Sequence, residues 1–286
     1  MTEDDGSGQI SGMTDPFVST AWLADHLADP GLVVVDGSWY LPAANRDPHG
    51  EFLTGHIPGA VFFDVDGIAD TASGLPHMLL APADFAAAVG ALGIGDGMRI
   101  VVYDGEGLFS APRVRWNFMV MGASDVRILE GGLPKWRTEG RPLESGPSPR
   151  APVRLTSRFN ASAVADLSQM RTTSRQIADA RPAGRFSGEV PEPRAGLRSG
   201  HMPGARSAPS PSLVENGTLK SAEALRAQFA AAGIDLEAPT VTTCGSGVTA
   251  AILKLALERA GATDVILYDG SWAEWGSRDD TPVETG

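Results

Sequence analysis

Gly55-His56-Ile57-Pro58-Gly59-Ala60 returns as Gly200-His201-Met202-Pro203-Gly204-Ala205, and this recurrence decides how the chain is read. Downstream of the first copy runs Ile100-Val101-Val102-Tyr103, ending at Asp104-Gly105. Downstream of the second runs Thr240-Val241-Thr242-Thr243, ending at Cys244-Gly245. Further on, Leu129-Glu130-Gly131-Gly132 precedes Trp136, as Tyr268-Asp269-Gly270-Ser271 precedes Trp275. Each pair is about 140 residues apart and the order is kept. A period that long is not a solenoid repeat; it implies two copies of one domain. Between them, Gly140 to Arg150 is rich in proline, glycine and serine without apolar periodicity, as a linker is. The expected division is a flexible leader over 1–16, a first domain over 17–139, a linker over 140–160 and a second domain over 161–286.

Within each copy, β-branched runs alternate with helical patterns. Val33-Val34-Val35-Asp36, Ile100 to Tyr103 and Val265 to Tyr268 are strand-like. Asp84 to Leu92 and Ser221 to Ala232 are helix-like and stop at Gly93 and Gly233, where a left-handed cap belongs. The alternation predicts an α/β fold, each copy a parallel sheet flanked by helices, with ligands at the carboxyl ends of the strands.

The 286 residues are 42% hydrophobic, enough for two cores. The net charge of −12 argues against non-specific nucleic-acid binding, which needs clustered basic residues. No run approaches the roughly 20 apolar residues of a membrane span. The acidic start, MTEDDGSGQISGMTDP, has no signal-peptide core, so a cytoplasmic location is expected. One cysteine among 286 residues excludes an internal disulfide or a multi-cysteine metal site, and the five histidines do not fall in metal-ligand spacing with it. No metal or organic cofactor is implied.

That cysteine, Cys244, follows a strand and precedes Gly245-Ser246-Gly247-Val248-Thr249-Ala250, where a helical pattern begins. Two glycines let the backbone curl so that successive N–H groups point inward as an anion nest. The helix N-terminus adds its positive end, and both effects favour the thiolate, the nucleophilic form. The turn has the form of a tyrosine-phosphatase loop but lacks the closing arginine, since Thr249-Ala250 stands there.

Cys244 to Ala250 resembles the active loop of the 3-mercaptopyruvate branch of the two-domain rhodanese (thiosulfate sulfurtransferase) family. The resemblance extends to Asp36-Gly37-Ser38-Trp39-Tyr40-Leu41-Pro42, Leu108 to Arg113, Arg185-Phe186-Ser187-Gly188, Pro191-Glu192-Pro193-Arg194 and Tyr268 to Trp272. It implies two rhodanese-like domains with chemistry only in the second, where Asp104 of the first copy is replaced by Cys244. It implies a Cys244 persulfide, a small-molecule sulfur donor and a thiol acceptor, thioredoxin-like or cyanide in vitro. Arg185 and Arg194 would hold the donor's carboxylate and keto oxygen, although Arg181 and Arg198 lie close in sequence. Ser246 would belong to a relay with His56 and Asp47. For His56 a structural role is the alternative, because His201 holds its place in the second copy. Gly245 and Ser246 stand where thiosulfate-preferring members carry bulky cations, which favours 3-mercaptopyruvate. The competing readings are a thiosulfate:cyanide sulfurtransferase and a non-catalytic sulfur carrier. Trp39, Trp272 and Trp275 are expected to pack, residues 116–121 to form a buried helix, and His49 and His77 receive no role.

Overall fold

The computed structural model describes residues 15–286. The first half contributes strands β1 (Phe17–Val18), β2 (Leu32–Asp36), β3 (Val61–Phe62), β4 (Arg99–Tyr103) and β5 (Val126–Leu129), with helices α1 (Thr20–His26), α2 (Pro48–Thr54), α3 (Pro82–Ala91), α4 (Ala111–Val120) and α5 (Gly132–Thr138). The second contributes β6 (Val164–Ala165), β7 (Gln176–Asp179), β8 (Arg206–Ser207), the hairpin β9 (Val214–Glu215) and β10 (Thr218–Leu219), then β11 (Thr240–Thr243) and β12 (Val265–Tyr268). Its helices are α6 (Leu167–Thr172), α7 (Ala183–Ser187), α8 (Ala222–Ala231), α9 (Val248–Ala260) and α10 (Ser271–Trp275).

Each half closes a five-stranded sheet, and the two have one topology: β1-β5-β4-β2-β3 and β6-β12-β11-β7-β8. Every pairing in both is parallel. The cause is legible in β2, whose Val33, Val34 and Val35 are all buried. A strand apolar on both faces needs helices above and below, and parallel crossovers supply them.

The domains meet through α4 and α9, the helices that leave β4 and β11 in their respective copies. Val114 and Phe118 of α4 share one continuous core with Ile252, Leu255 and Ala256 of α9. Burying a side chain of the Val, Ile, Leu or Phe class contributes about 1.5–3 kcal/mol. This interface therefore sets how the two strand-end loops face each other.

Of the leader expected over 1–16, residues 1–14 lie outside the described residues. The carbonyl of Pro16 is already tied to the sheet, accepting from the Ile128 N–H at 2.7 Å. The segment 140–160 lies along the first domain. The N–H groups of Val153, Arg158 and Asn160 donate to the carbonyls of Gly90, Met121 and Val120 at 2.9, 2.8 and 2.7 Å. Gly90 permits this approach, because a Cβ there would stand 2.5 Å from the Val153 carbonyl oxygen. Among the described residues no helix is long and apolar enough to cross a membrane.

Candidate active site

Strand β11 ends at Thr243 and delivers Cys244 to the carboxyl edge of its sheet, in the turn that starts α9. The carbonyls of Cys244 and Gly245 accept from Trp272 and Ala273 at 2.9 and 2.8 Å, so α10 pulls them outward. The Gly247 N–H is left pointing inward, 3.1 Å from Cys244 Sγ. Gly247 is left-handed (φ +81°) and stands beside Arg113, whose Nη1 would lie 2.6 Å from an added Cβ. Val248 is buried in the interdomain core and Thr249 is half-buried on the first helical turn. Cys244 itself is buried.

The first domain offers an internal comparison. There the equivalent loop folds around Asp104. One carboxylate oxygen accepts from the N–H groups of Phe109, Ser110 and Ala111 at 2.7–2.9 Å, and the other from Glu106 at 2.9 Å. The loop architecture therefore holds an anion, which in this copy is the domain's own carboxylate. Tyr40 closes over it, its hydroxyl 2.1 Å from where a Gly105 Cβ would be.

Ser246 does not meet His56. Its hydroxyl lies 2.9 Å from Nδ1 of His77, a residue of the first domain for which the sequence suggested no role. Nε2 of His77 lies 3.0 Å from Asp66 Oδ1. A carboxylate facing Nε2 requires the proton there, so Nδ1 accepts from Ser246. Trp39, expected only to pack, also donates its indole N–H to Asp66 at 3.0 Å and meets His77 edge-on. His77 and Trp39 together hold the Asp66 carboxyl below the usual range. The hydrogen bond from His77 is the main cause, and partial burial opposes it.

His56 and Asp47 have other work. His56 Nδ1 lies 2.8 Å from the Phe52 carbonyl, the ring stacks on Phe52, and its backbone bridges to Glu144. His201 repeats this arrangement with the Phe186 carbonyl, the Phe186 ring and Glu284. Asp47 is an exposed helix cap, accepting from Gly50 N–H at 3.0 Å. The relay expected from the sequence is thus corrected in two of its three members. The structural alternative for His56, raised by its recurrence as His201, fits this geometry, whereas His77 and Asp66 have no such mark in the sequence.

The four arginines differ in what holds them. Arg185 packs on the loop, its Nη2 3.0 Å from where a Gly245 Cβ would be. It is paired through Nε and Nη2 with the buried carboxylate of Glu192, which also takes Nη1 of Arg181 at 2.8 Å. Arg181 is buried against Asp179 and over the Trp272 ring, as a structural ion pair. Arg198 serves the carbonyls of Trp275, Gly276 and Thr281. Arg194 has no hydrogen-bond partner among the described residues. Burial pulls its guanidinium below the usual arginine range; the Cys244 sulfur pulls it up and Arg185 pushes it down. Arg194 is thus a half-buried cation without a partner among the described residues.

A buried cysteine in a strand-to-helix turn, on the second of two like domains, defines a class. A model of the rhodanese-like domain matches residues 19–139 and again 163–278. The chain belongs to the rhodanese family. It is similar along nearly its whole length to 3-mercaptopyruvate sulfurtransferase of Escherichia coli (strain K12), with 44% identity covering 94% of this chain and 97% of that one. Bovine thiosulfate sulfurtransferase is 43% identical, covering 94% of each. The crystal structure of SseA from Escherichia coli, a 3-mercaptopyruvate enzyme, superposes with a TM-score of 0.84 at 41% identity, covering 91% of this chain and 99% of that one.

Proposed function

We propose that this sulfurtransferase takes sulfur from 3-mercaptopyruvate onto Cys244 and passes it to a thiol. The observation that carries the reading is the hydrogen-bonded chain Ser246–His77–Asp66, which starts in the loop of a thiol that receives the Gly247 N–H. Arg194 supplies the free cation next to it.

The donor's carboxylate binds Arg194, with the remaining Nη1 of Arg185 at hand. The Cys244 thiolate attacks the donor sulfur, an S–S bond forms and the C–S bond breaks, its electron pair passing into the enolate of pyruvate. Ser246 takes the donor's S–H proton as it yields its own to His77, and Asp66 balances the imidazolium. The proton then goes to C3 of the enolate and pyruvate leaves. In the second half-reaction an acceptor thiolate attacks the outer sulfur and Cys244 leaves as thiolate. A dithiol of the thioredoxin type suits this step, and a lone cysteine that must stay reduced suits the cytoplasm.

Identity to the relatives does not separate the two donors, since a thiosulfate enzyme and a mercaptopyruvate enzyme are almost equally similar. The uncharged Gly245-Ser246 loop and the unpaired Arg194 guanidinium favour mercaptopyruvate. Three measurements test the reading: sulfide release from 3-mercaptopyruvate beside thiosulfate, mass spectrometry of the Cys244 peptide after donor treatment, and both again with Cys244→Ser. A gain of one sulfur on Cys244 and loss of activity in the variant are expected. Full activity in Cys244→Ser would overturn the mechanism, and a preference for thiosulfate would overturn the donor.

A further inference from the structure

We infer that Arg113 and Asp269 form a buried latch across the domain interface that positions His77 against Ser246. The inference rests on the relay reading above. Arg113 belongs to α4 of the first domain and Asp269 follows β12 of the second. Both side chains are buried. Arg113 Nη2 donates to Asp269 Oδ1 at 2.6 Å and to the backbone carbonyl of His77 at 2.5 Å. Asp269 Oδ2 accepts from the N–H of Leu79 at 2.7 Å. The segment His77–Leu79 is therefore gripped on its carbonyl side by Arg113 and on its N–H side by Asp269. Arg113 Nη1 also reaches the carbonyl of Gly247, in the cysteine loop, at 3.4 Å.

His77 needs such a grip. Its φ is +61°, the left-handed region that a branched or ring-bearing residue enters at a cost. The loop 71–80 carries no strand and no α-helix to impose that conformation. Arg113 and Asp269 hold both flanking polar groups of the backbone, so the imidazole is aimed across the interface into the second domain. Two charges buried together hold geometry better than they add stability. The arrangement also ties the relay to domain docking: the histidine comes from one domain, the serine from the other, and the ion pair joins both.

Arg113 and Asp269 are positioning residues, and a double-mutant cycle distinguishes this role from a merely structural one. Arg113→Met and Asp269→Asn are each made alone and on a His77→Ala background. The measurements are kcat and KM for 3-mercaptopyruvate, and Tm. Either substitution alone should lower kcat at least tenfold with KM within about threefold of the parent. On the His77→Ala background the same substitution should lower kcat by less than about twofold, because the group it positions is gone. Equal losses of kcat on both backgrounds would overturn the latch while leaving the relay intact. Full kcat in His77→Ala itself would overturn the relay reading. Asp269→Asn keeps the side-chain shape and carries the same cycle should Arg113→Met fail to fold.

Discussion

His77 Nδ1 lies 2.9 Å from Ser246 Oγ although 169 residues separate them in the chain. The two come from different domains, so this contact exists only when both domains are folded and docked. In the proposed mechanism Cys244 is the nucleophile and His77, across the interface, the proton handler.

His77→Ala should lower kcat by about 10²- to 10⁴-fold, the usual worth of a positioned acid–base group, with little change in Tm. His56→Ala should do the reverse. It removes a buried stacked ring and leaves the Phe52 carbonyl without its partner, so Tm should fall while kcat per folded molecule holds. Steady-state kinetics beside calorimetry read the two effects, and a kcat collapse in His56→Ala would return the relay to that residue.

Asp66 gives a pH signature with a definite sign. Its carboxyl is held below the ordinary range, so its contribution to stability is present above about pH 4, the unfolded value, and is lost as pH falls through the folded value. Asp66→Asn should therefore differ from the parent in unfolding free energy at neutral pH and converge with it in acid. The same variant should lower kcat at pH 7 by about tenfold or more, since Nε2 of His77 loses its anionic partner. Parallel stability curves across pH 2–7 would refute the assignment.

Arg194→Ala and Arg185→Ala should separate. Arg194 donates no hydrogen bond within the described protein, so its loss should cost about 10- to 150-fold in kcat/KM for mercaptopyruvate with Tm nearly unchanged. Arg185→Ala also strips one partner from the buried Glu192 and should lower Tm as well. Unchanged kinetics in Arg194→Ala would leave the donor carboxylate without its proposed site.

Donor choice should follow the loop. An arginine at position 245 would meet Arg185, whose Nη2 stands 3.0 Å from the first added carbon. The Gly245→Arg, Ser246→Lys double variant should thus displace a mercaptopyruvate-binding residue and bring positive charge to the sulfur, worth on the order of 1–4 kcal/mol for an anion. The kcat/KM ratio of thiosulfate to mercaptopyruvate should rise at least tenfold; a ratio within about twofold of the parent would show that the loop does not discriminate.

Asp36 and Asp179 occupy equivalent strand ends, and each accepts from the N–H two residues on at 2.9 Å. Asp179 pairs with the Arg181 side chain; in the first domain Ser38 stands in that place. Burial pushes the Asp36 carboxyl up to about 6, against the hydrogen bonds from Ser38. A raised carboxyl contributes stability below about pH 4 that is lost as pH rises through 6, on the order of 3 kcal/mol. Relative to the parent, Asp36→Asn should therefore gain stability between pH 4 and 7. Denaturant unfolding across that range reads the difference, and a pH-independent difference would refute it.

The chain sequence by itself determined the doubled α/β architecture and the place of the nucleophile. Both rest on local signals: valine-rich runs, glycine stops, and a cysteine between a strand and a helix start, each written within about ten neighbouring residues. The resemblance of the Gly245-Ser246 loop to the mercaptopyruvate branch was equally local. The relay was not. His77 sits in an irregular loop whose conformation is held by groups more than 30 residues away, so nothing near it in sequence announces a function. The resemblance put His56 in the relay, and its recurrence as His201 marked the structural alternative: a device present in both domains serves what both domains share. Tertiary structure alone decided which histidine faces Ser246, because that depends on how α4 packs against α9 and brings one domain's loop to the other; it also decided which arginine is already paired and which is free, because that depends on how the segment 181–194 folds around Glu192.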